Sequence, residues 1–251
     1  MLSFASLGSG SEGNCFLIKS NEAIIMIDCG FNYKETTKRL ARLDLTFSDI
    51  NHYFITHEHE DHIKAAPMIY KNENMLISST YGTAKRLGME NNFSLLNYDQ
   101  IVDINDIKVK AIPVPHDAME PCHYTFESNN IKVGIITDFG SITEKIIEEY
   151  SNLDLLVIET NHDLEMLEKS NYPINLKNRI SGPYGHTNNQ LTKALFEKLN
   201  KSRLKKVIFC HLSKNNNTQE QVRKEFEPYF KKYQCDFIEQ DNVFDWVTIK
   251  N

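Results

Sequence analysis

Thr56-His57-Glu58-His59-Glu60-Asp61-His62 sets three imidazoles and three carboxylates among the six positions from His57 to His62. Packing gives a chain no reason to gather so many metal-ligand groups in one loop. Imidazole and carboxylate are the ligand types for Zn²⁺, Mn²⁺ or Fe. Alternate residues leave an extended strand end on the same side, so His57 and His59 can point together. Asp61 and His62 then fall on the turn that starts a helix. A loop built this way can feed two metal sites.

The strand that delivers this loop is expected over residues 52–56, and a helix over 62–70. Upstream, residues 2–7, 15–18 and 23–29 read as strands. They are parted by Gly8-Ser9-Gly10-Ser11-Glu12-Gly13 and by Asn21-Glu22. Residues 34–43 read as an amphipathic helix, and Ser48 as a cap before a further short segment. Downstream, strands are expected at 75–78, 101–104, 107–113, 123–127, 131–137, 153–159, 206–210, 235–239 and 244–249. Helices are expected at 143–150, with Thr143 near the cap, and at 188–199 and 218–233. Residues 164–186 hold Pro173, Gly182, Pro183 and Gly185 and read as a loop over a site. Strand-rich stretches interrupted by helices, with a strand–helix–strand rhythm in the second half, favour an α/β (α+β) chain. In it two mixed sheets pack face to face with helices outside.

The bulk properties bound the possibilities. The 251 residues are 41% apolar, enough for one large domain with a sizeable core, and a single domain over 1–251 is expected. A net charge of −6 offers nucleic acid no global attraction. Two local clusters could compensate: Lys34, Lys38, Arg39 and Arg42 on one helix, and Lys198, Lys201, Arg203, Lys205 and Lys206 near another. Solvated surface is the plainer reading of both. No run approaches the length of a membrane span, and the N-terminus lacks a signal-peptide pattern. The five cysteines are scattered and odd in number, so free buried thiols in a reducing cytoplasm are expected.

Further ligand candidates sit just beyond apolar strands. His116 follows 107–113, Asp138 follows 131–137, and His211 follows 206–210. One sheet edge is where such a protein gathers functional side chains. Cys210 precedes His211 on its strand and should point to the opposite face.

The pattern His57-x-His59-x-Asp61-His62, then His116, Asp138 and His211, resembles the metallo-β-lactamase superfamily over nearly the whole chain. Leu7-Gly8-Ser9-Gly10-Ser11-Glu12-Gly13-Asn14-Cys15 and Glu159-Thr160-Asn161-His162-Asp163 resemble its YycJ/WalJ-type branch. So do Gly185-His186 and His211-Leu212-Ser213 followed by Asn216-Asn217-Thr218. The resemblance implies an αββα sandwich of two mixed β-sheets flanked by helices. It implies two divalent metal ions, with His57, His59 and His116 on the first, Asp61, His62 and His211 on the second, and Asp138 between them. Asp28 matches the family's supporting aspartate and would orient loop backbone or a ligand imidazole. Zinc suits this all-N/O set, and manganese or iron would also fit.

Two neighbouring cations make hydroxide near neutral pH and clamp the oxygens of a crowded transition state. No protein nucleophile is then needed, and no Gly-x-Ser-x-Gly occurs. Asp61 could be both ligand and base. His186 and His162 are the candidates to protonate a leaving group. His162 follows an apolar strand, and His186 is placed at a helix start, where N–H groups suit an anion. His52 reads as structural, and His123 carries only a weak functional signal. The superfamily hydrolyses β-lactams, thioesters and phosphodiesters, so fold alone selects no substrate. The branch resemblance implies DNA and a 5′-to-3′ exonuclease. A small-molecule phosphodiesterase, an ester or thioester hydrolase, and a regulatory member without turnover are the alternatives.

Overall fold

A strand with two apolar faces needs cover on both sides, and most strands here are of that kind. The computed structural model describes residues 1–73, 75–89 and 91–250. In chain order its strands are β1 (Leu2–Gly8), β2 (Cys15–Lys19), β3 (Ile24–Ile27), β4 (His52–Phe54), β5 (Leu76–Thr80), β6 (Ser94–Leu96), β7 (Ile101–Ile104), β8 (Ile107–Pro113), β9 (Cys122–Ser128), β10 (Ile131–Ile136), β11 (Leu155–Glu159), β12 (Lys206–Cys210), β13 (Gln234–Phe237) and β14 (Phe244–Ile249). They form two seven-stranded sheets, ordered β14-β1-β2-β3-β4-β5-β6 and β13-β12-β11-β10-β9-β8-β7.

Alternation along each strand feeds three apolar layers. On β11, Leu155 and Val157 enter the core between the sheets, while Leu156 and Ile158 face outward. On β4, Phe54 enters that central core and Tyr53 faces the other way. Helices α1 (Tyr33–Ala41), α3 (Ala66–Asn72) and α4 (Tyr81–Arg86) supply Leu40, Ala66, Ile69 and Ala84 to the outer layer of the first sheet. Helices α5 (Glu144–Glu149), α8 (Asn189–Lys198) and α9 (Gln219–Glu225) supply Ile146, Leu195, Phe196 and Val222 to that of the second. The result is the expected helix–sheet–sheet–helix sandwich. Cys210 lies in the central layer, opposite the direction His211 must take.

Several boundaries differ from the sequence reading, mostly at proline. The helix expected over 62–70 is two: α2 (Glu60–Ile63) and α3, with Pro67 in the first turn of α3. The helix expected over 218–233 is likewise α9 and α10 (Glu227–Phe230), because Pro228 has no N–H to continue the ladder. Residues 164–186 are not a bare loop. They carry α6 (Leu164–Lys169) and α7 (Ile174–Ile180), and the Asp163 side chain caps α6 by accepting from Met166 N at 2.9 Å. Thr46, not Ser48, caps the 3₁₀ turn Phe47–Asp49, through a reciprocal pair with Asp49. Helix α4 and the three-residue edge strand β6 were not anticipated. Among the described residues no helix is long and apolar enough to cross a membrane.

Strands β3 to β6 run parallel, as do β10 to β13. Strands β8 and β10 both lie antiparallel to β9, so they point the same way. Loops leaving these carboxyl ends collect at one rim, where open sheets of this kind place their sites.

Candidate metal centre

Strand β4 delivers the histidine loop, β8 delivers His116, β10 delivers Asp138 and β12 delivers His211. Asp28, Asp138 and His211, each just beyond a strand, have φ of 56°, 50° and 55°. Backbone of that left-handed type turns a side chain sharply out of the strand path and is costly outside glycine.

The side chains converge as the sequence anticipates. Ligand atoms of His57, His59 and His116 lie within 4.8 Å of one another, and so do those of Asp61, His62 and His211. Asp138 joins His57 and His62 in a third such group and His211 in a fourth. His59 Nδ1 stands 3.1 Å from both His57 Nε2 and His116 Nε2.

Three of the imidazoles, His62, His116 and His211, are held from behind. His62 Nδ1 donates to Asp28 Oδ2 at 2.8 Å, which leaves Nε2 facing Asp138 Oδ2 at 3.3 Å and Asp61 Oδ2 at 3.5 Å. His116 Nδ1 is 3.2 Å from the Gly185 carbonyl, and His211 Nδ1 is 2.8 Å from Glu159 Oε1. An imidazole that donates outward presents its other nitrogen inward in the form a cation accepts. Asp28 does both jobs foreseen for it, because its Oδ1 also accepts from Thr56 N at 2.8 Å. Asp138 Oδ2 and His211 Nε2 are buried, and among the described residues neither makes a well-formed hydrogen bond, the nearest opposite groups being His62 Nε2 at 3.3 Å and Asp61 Oδ2 at 3.7 Å. Buried polar atoms of this kind require a partner, and a cation held by these groups would supply one. The donor set therefore fits a pair of divalent ions.

Charge is finely set here. Burial works against the ionised form of Asp61 and Asp138, yet neighbouring imidazoles hold both carboxyls well below the ordinary range. Burial also disfavours a charged His211, but Asp138, Asp61 and Glu159 push it up to about 10. His62 is raised in the same way by Asp138, Asp61 and Asp28. His57 moves down, through burial first and then the charge on His62. Raised proton affinity at His62 and His211 favours protons that offset the carboxylate charge, a role that a bound cation would take over.

His186 reaches the cluster. Its Nδ1 lies 2.9 Å from Glu159 Oε1 and 3.3 Å from Asp138 Oδ1. It precedes the helix cap Asn188, whose side chain accepts from Leu191 N, so it is not itself at the helix start. His162 belongs to none of the four groups. It is fully buried, pairs through its backbone with residue Asn188, and among the described residues neither ring nitrogen has a hydrogen-bond partner. His52 bonds Ser78 Oγ at 2.7 Å, a structural contact. Sequence reasoning left two supporting residues without a role. Glu159 ties His211 to His186, and its signal was a carboxylate closing an apolar strand, as with Asp138. Asn14, at the end of the glycine-rich turn, brings its Nδ2 within 3.2 Å of His62 Nε2.

Arg39 of the first basic cluster and most of the second cluster are committed elsewhere. Arg39 is buried, donates to the Leu7 and Gln240 carbonyls, and stacks on Phe31. Arg203 and Lys205 pair with Asp154, Lys206 with Asp236, and Lys201 bonds the carbonyls that end α8.

A family profile described as the beta-lactamase superfamily domain matches residues 24–211. Exodeoxyribonuclease YycJ of Bacillus anthracis is 30% identical over 230 residues, covering 88% of this chain and 86% of its own length. Exodeoxyribonuclease WalJ of Streptococcus pneumoniae serotype 2 is 30% identical over 227 residues, covering 86% of this chain and 84% of its own. Among solved structures, the metallo-beta-lactamase fold protein YhfI from Bacillus subtilis aligns with a TM-score of 0.74 at 14% identity, over 97% of this chain and 98% of that one, a likeness of fold.

Proposed function

The chain belongs to the metallo-β-lactamase superfamily, and on that premise we propose that it is a metal-dependent hydrolase of phosphodiester bonds in DNA, acting from a strand end in the 5′-to-3′ direction. The observation that carries this reading is the convergence of the two three-residue groups on Asp138, with buried ligand atoms that make no well-formed hydrogen bond among the described residues.

His57, His59 and His116 would hold one ion, and Asp61, His62 and His211 the other, with Asp138 shared. Zinc suits the nitrogen- and oxygen-only donors, and manganese and iron are the alternatives to be tested. The ions would supply an activated water and would offset charge on the phosphoryl oxygens. Asp61, kept ionised by its histidine neighbours, would take the proton of the attacking water. Glu159 and Asp138 hold His186 Nδ1, and they raise its proton affinity despite burial, so its other nitrogen is fit to protonate the leaving oxygen. Burial drives His162 down to about 4. A neutral, enclosed imidazole is a poor proton donor, so we assign that step to His186 and leave His162 a structural part.

The names of the YycJ and WalJ relatives support DNA as substrate. With a net charge of −6, affinity for phosphate would come chiefly from the bound cations. The free thiols fit work in the cytoplasm. The test is incubation of metal-loaded protein with end-labelled duplex DNA and with bis-p-nitrophenyl phosphate. Stepwise loss from 5′ ends, absent in Asp61→Ala, is expected. Turnover of the small diester alone would replace DNA with a small substrate, and no turnover with any divalent metal would refute the enzyme.

A further inference from the structure

Beside the cluster a pocket of about 210 Å³ opens between the metal-site residues and the helices of segment 164–186. Asp61, His186 and His211 line it together with Tyr172, Arg179 and Asn161. Arg179 is the one lysine or arginine in its lining.

The guanidinium is fixed at one edge and open at the other. Arg179 Nε donates to Asp117 Oδ2 at 2.6 Å, and Asp117 Oδ1 lies 3.5 Å from His116 Nε2. Asp117 thus registers Arg179 against the metal centre. The remaining donors have no hydrogen-bond partner among the described residues, and the side chain is 54% exposed. A guanidinium fork held this way matches two oxygens of a phosphate.

Size and charge point to a strand end. Pockets that hold drug-sized molecules begin at about 300 Å³, so this one admits a phosphate with little more than its sugar. A phosphate monoester carries a charge of about −1.5 to −2, more than an internal diester. A chain of net charge −6 gains most from a ligand whose charge is concentrated where a cation waits. We propose that this pocket seats the 5′-terminal phosphate of a nucleic-acid strand, gripped by Arg179, next to the bond that is cut. The inference rests on the nuclease reading above and would explain why such an enzyme works from ends.

The test compares kcat/KM on one oligonucleotide carrying either a 5′ phosphate or a 5′ hydroxyl, using metal-loaded wild type, Arg179→Ala and Arg179→Lys. Because the readout is a ratio within each protein, loss of folded enzyme cancels. The wild type is expected to prefer the phosphate by about tenfold or more, the scale of charge-assisted hydrogen bonds. Arg179→Ala should lose the preference and Arg179→Lys should keep part of it. An equal rate on both ends in the wild type would overturn the proposal, as would a preference that survives Arg179→Ala. Cleavage of bis-p-nitrophenyl phosphate with no attack on either oligonucleotide would instead overturn the nuclease reading, and this inference with it.

Discussion

Glu159 is a single carboxylate that sets the orientation of two imidazoles, with Oε1 at 2.8 Å from His211 Nδ1 and 2.9 Å from His186 Nδ1. Its burial opposes ionisation, but the two histidines hold it down at about 2, so it stays charged. Glu159→Gln keeps the shape and removes the charge. Metal affinity and kcat should each fall by about 10- to 100-fold, the usual effect of losing a group behind a ligand histidine. Chelator competition and steady-state kinetics read this, and wild-type values for both would show Glu159 to be a passive core residue. His52 makes a contrasting case, because its buried ring serves stability alone. Burial lowers it to about 4, against about 6.5 for an exposed histidine. As pH falls from about 6.5 to 4 the unfolded chain takes up this proton first, so folding stability is lost across that window. Between pH 7 and pH 4, metal-free His52→Asn should lose about 3 kcal/mol less than metal-free wild type in urea unfolding. Equal losses would show that His52 does not titrate on unfolding.

Elements reach the site through close backbone contacts as well as side chains. Gly30, just past β3, lies so near the start of α2 that an added Cβ would stand 1.7 Å from the Asp61 carbonyl oxygen. Around it Asn14 N donates to Asp61 O at 2.8 Å and Cys29 N to His62 O at 2.7 Å. Gly30→Ala must push the Asp61–His62 turn away. It should destabilise by about 1–3 kcal/mol, as overpacking does, and lower turnover more than stability alone explains. Unfolding and activity measured on the same preparation test this, and unchanged activity would mean the turn tolerates displacement. Such contacts explain what the sequence could and could not say about elements. Apolar runs ending in a polar residue located His116, Asp138 and His211, because the central strands are buried on both faces. The helix breaks at Pro67 and Pro228 were written in the sequence too, but amphipathic spacing continued across them. Helices α6 and α7 were hidden because Pro173 and the Gly182–Gly185 turn outweighed the short helical pattern between them. No local pattern shows that Arg39 is drawn inward by carbonyls as remote as that of Gln240.

At the scale of the molecule, two sheets of seven strands bring residues from 28 to 211 to one rim. The ligand candidates were legible because their chemistry is confined to a few residue types. Glu159 and Arg179 acquire a role only once β11 and α7 are seen to border the same cluster, and neither lies near the histidine loop in sequence. The layout also makes the site depend on both sheets, since β4 of one carries His57 to His62 while β8, β10 and β12 of the other carry the rest. The central claim is that this shared rim grips two ions across Asp138. Anomalous diffraction from crystals grown with zinc measures it most directly. Two peaks per chain are predicted, one among His57, His59 and His116 and one among Asp61, His62 and His211, each in contact with Asp138. A single peak, or zinc bound away from these residues, would contradict the account.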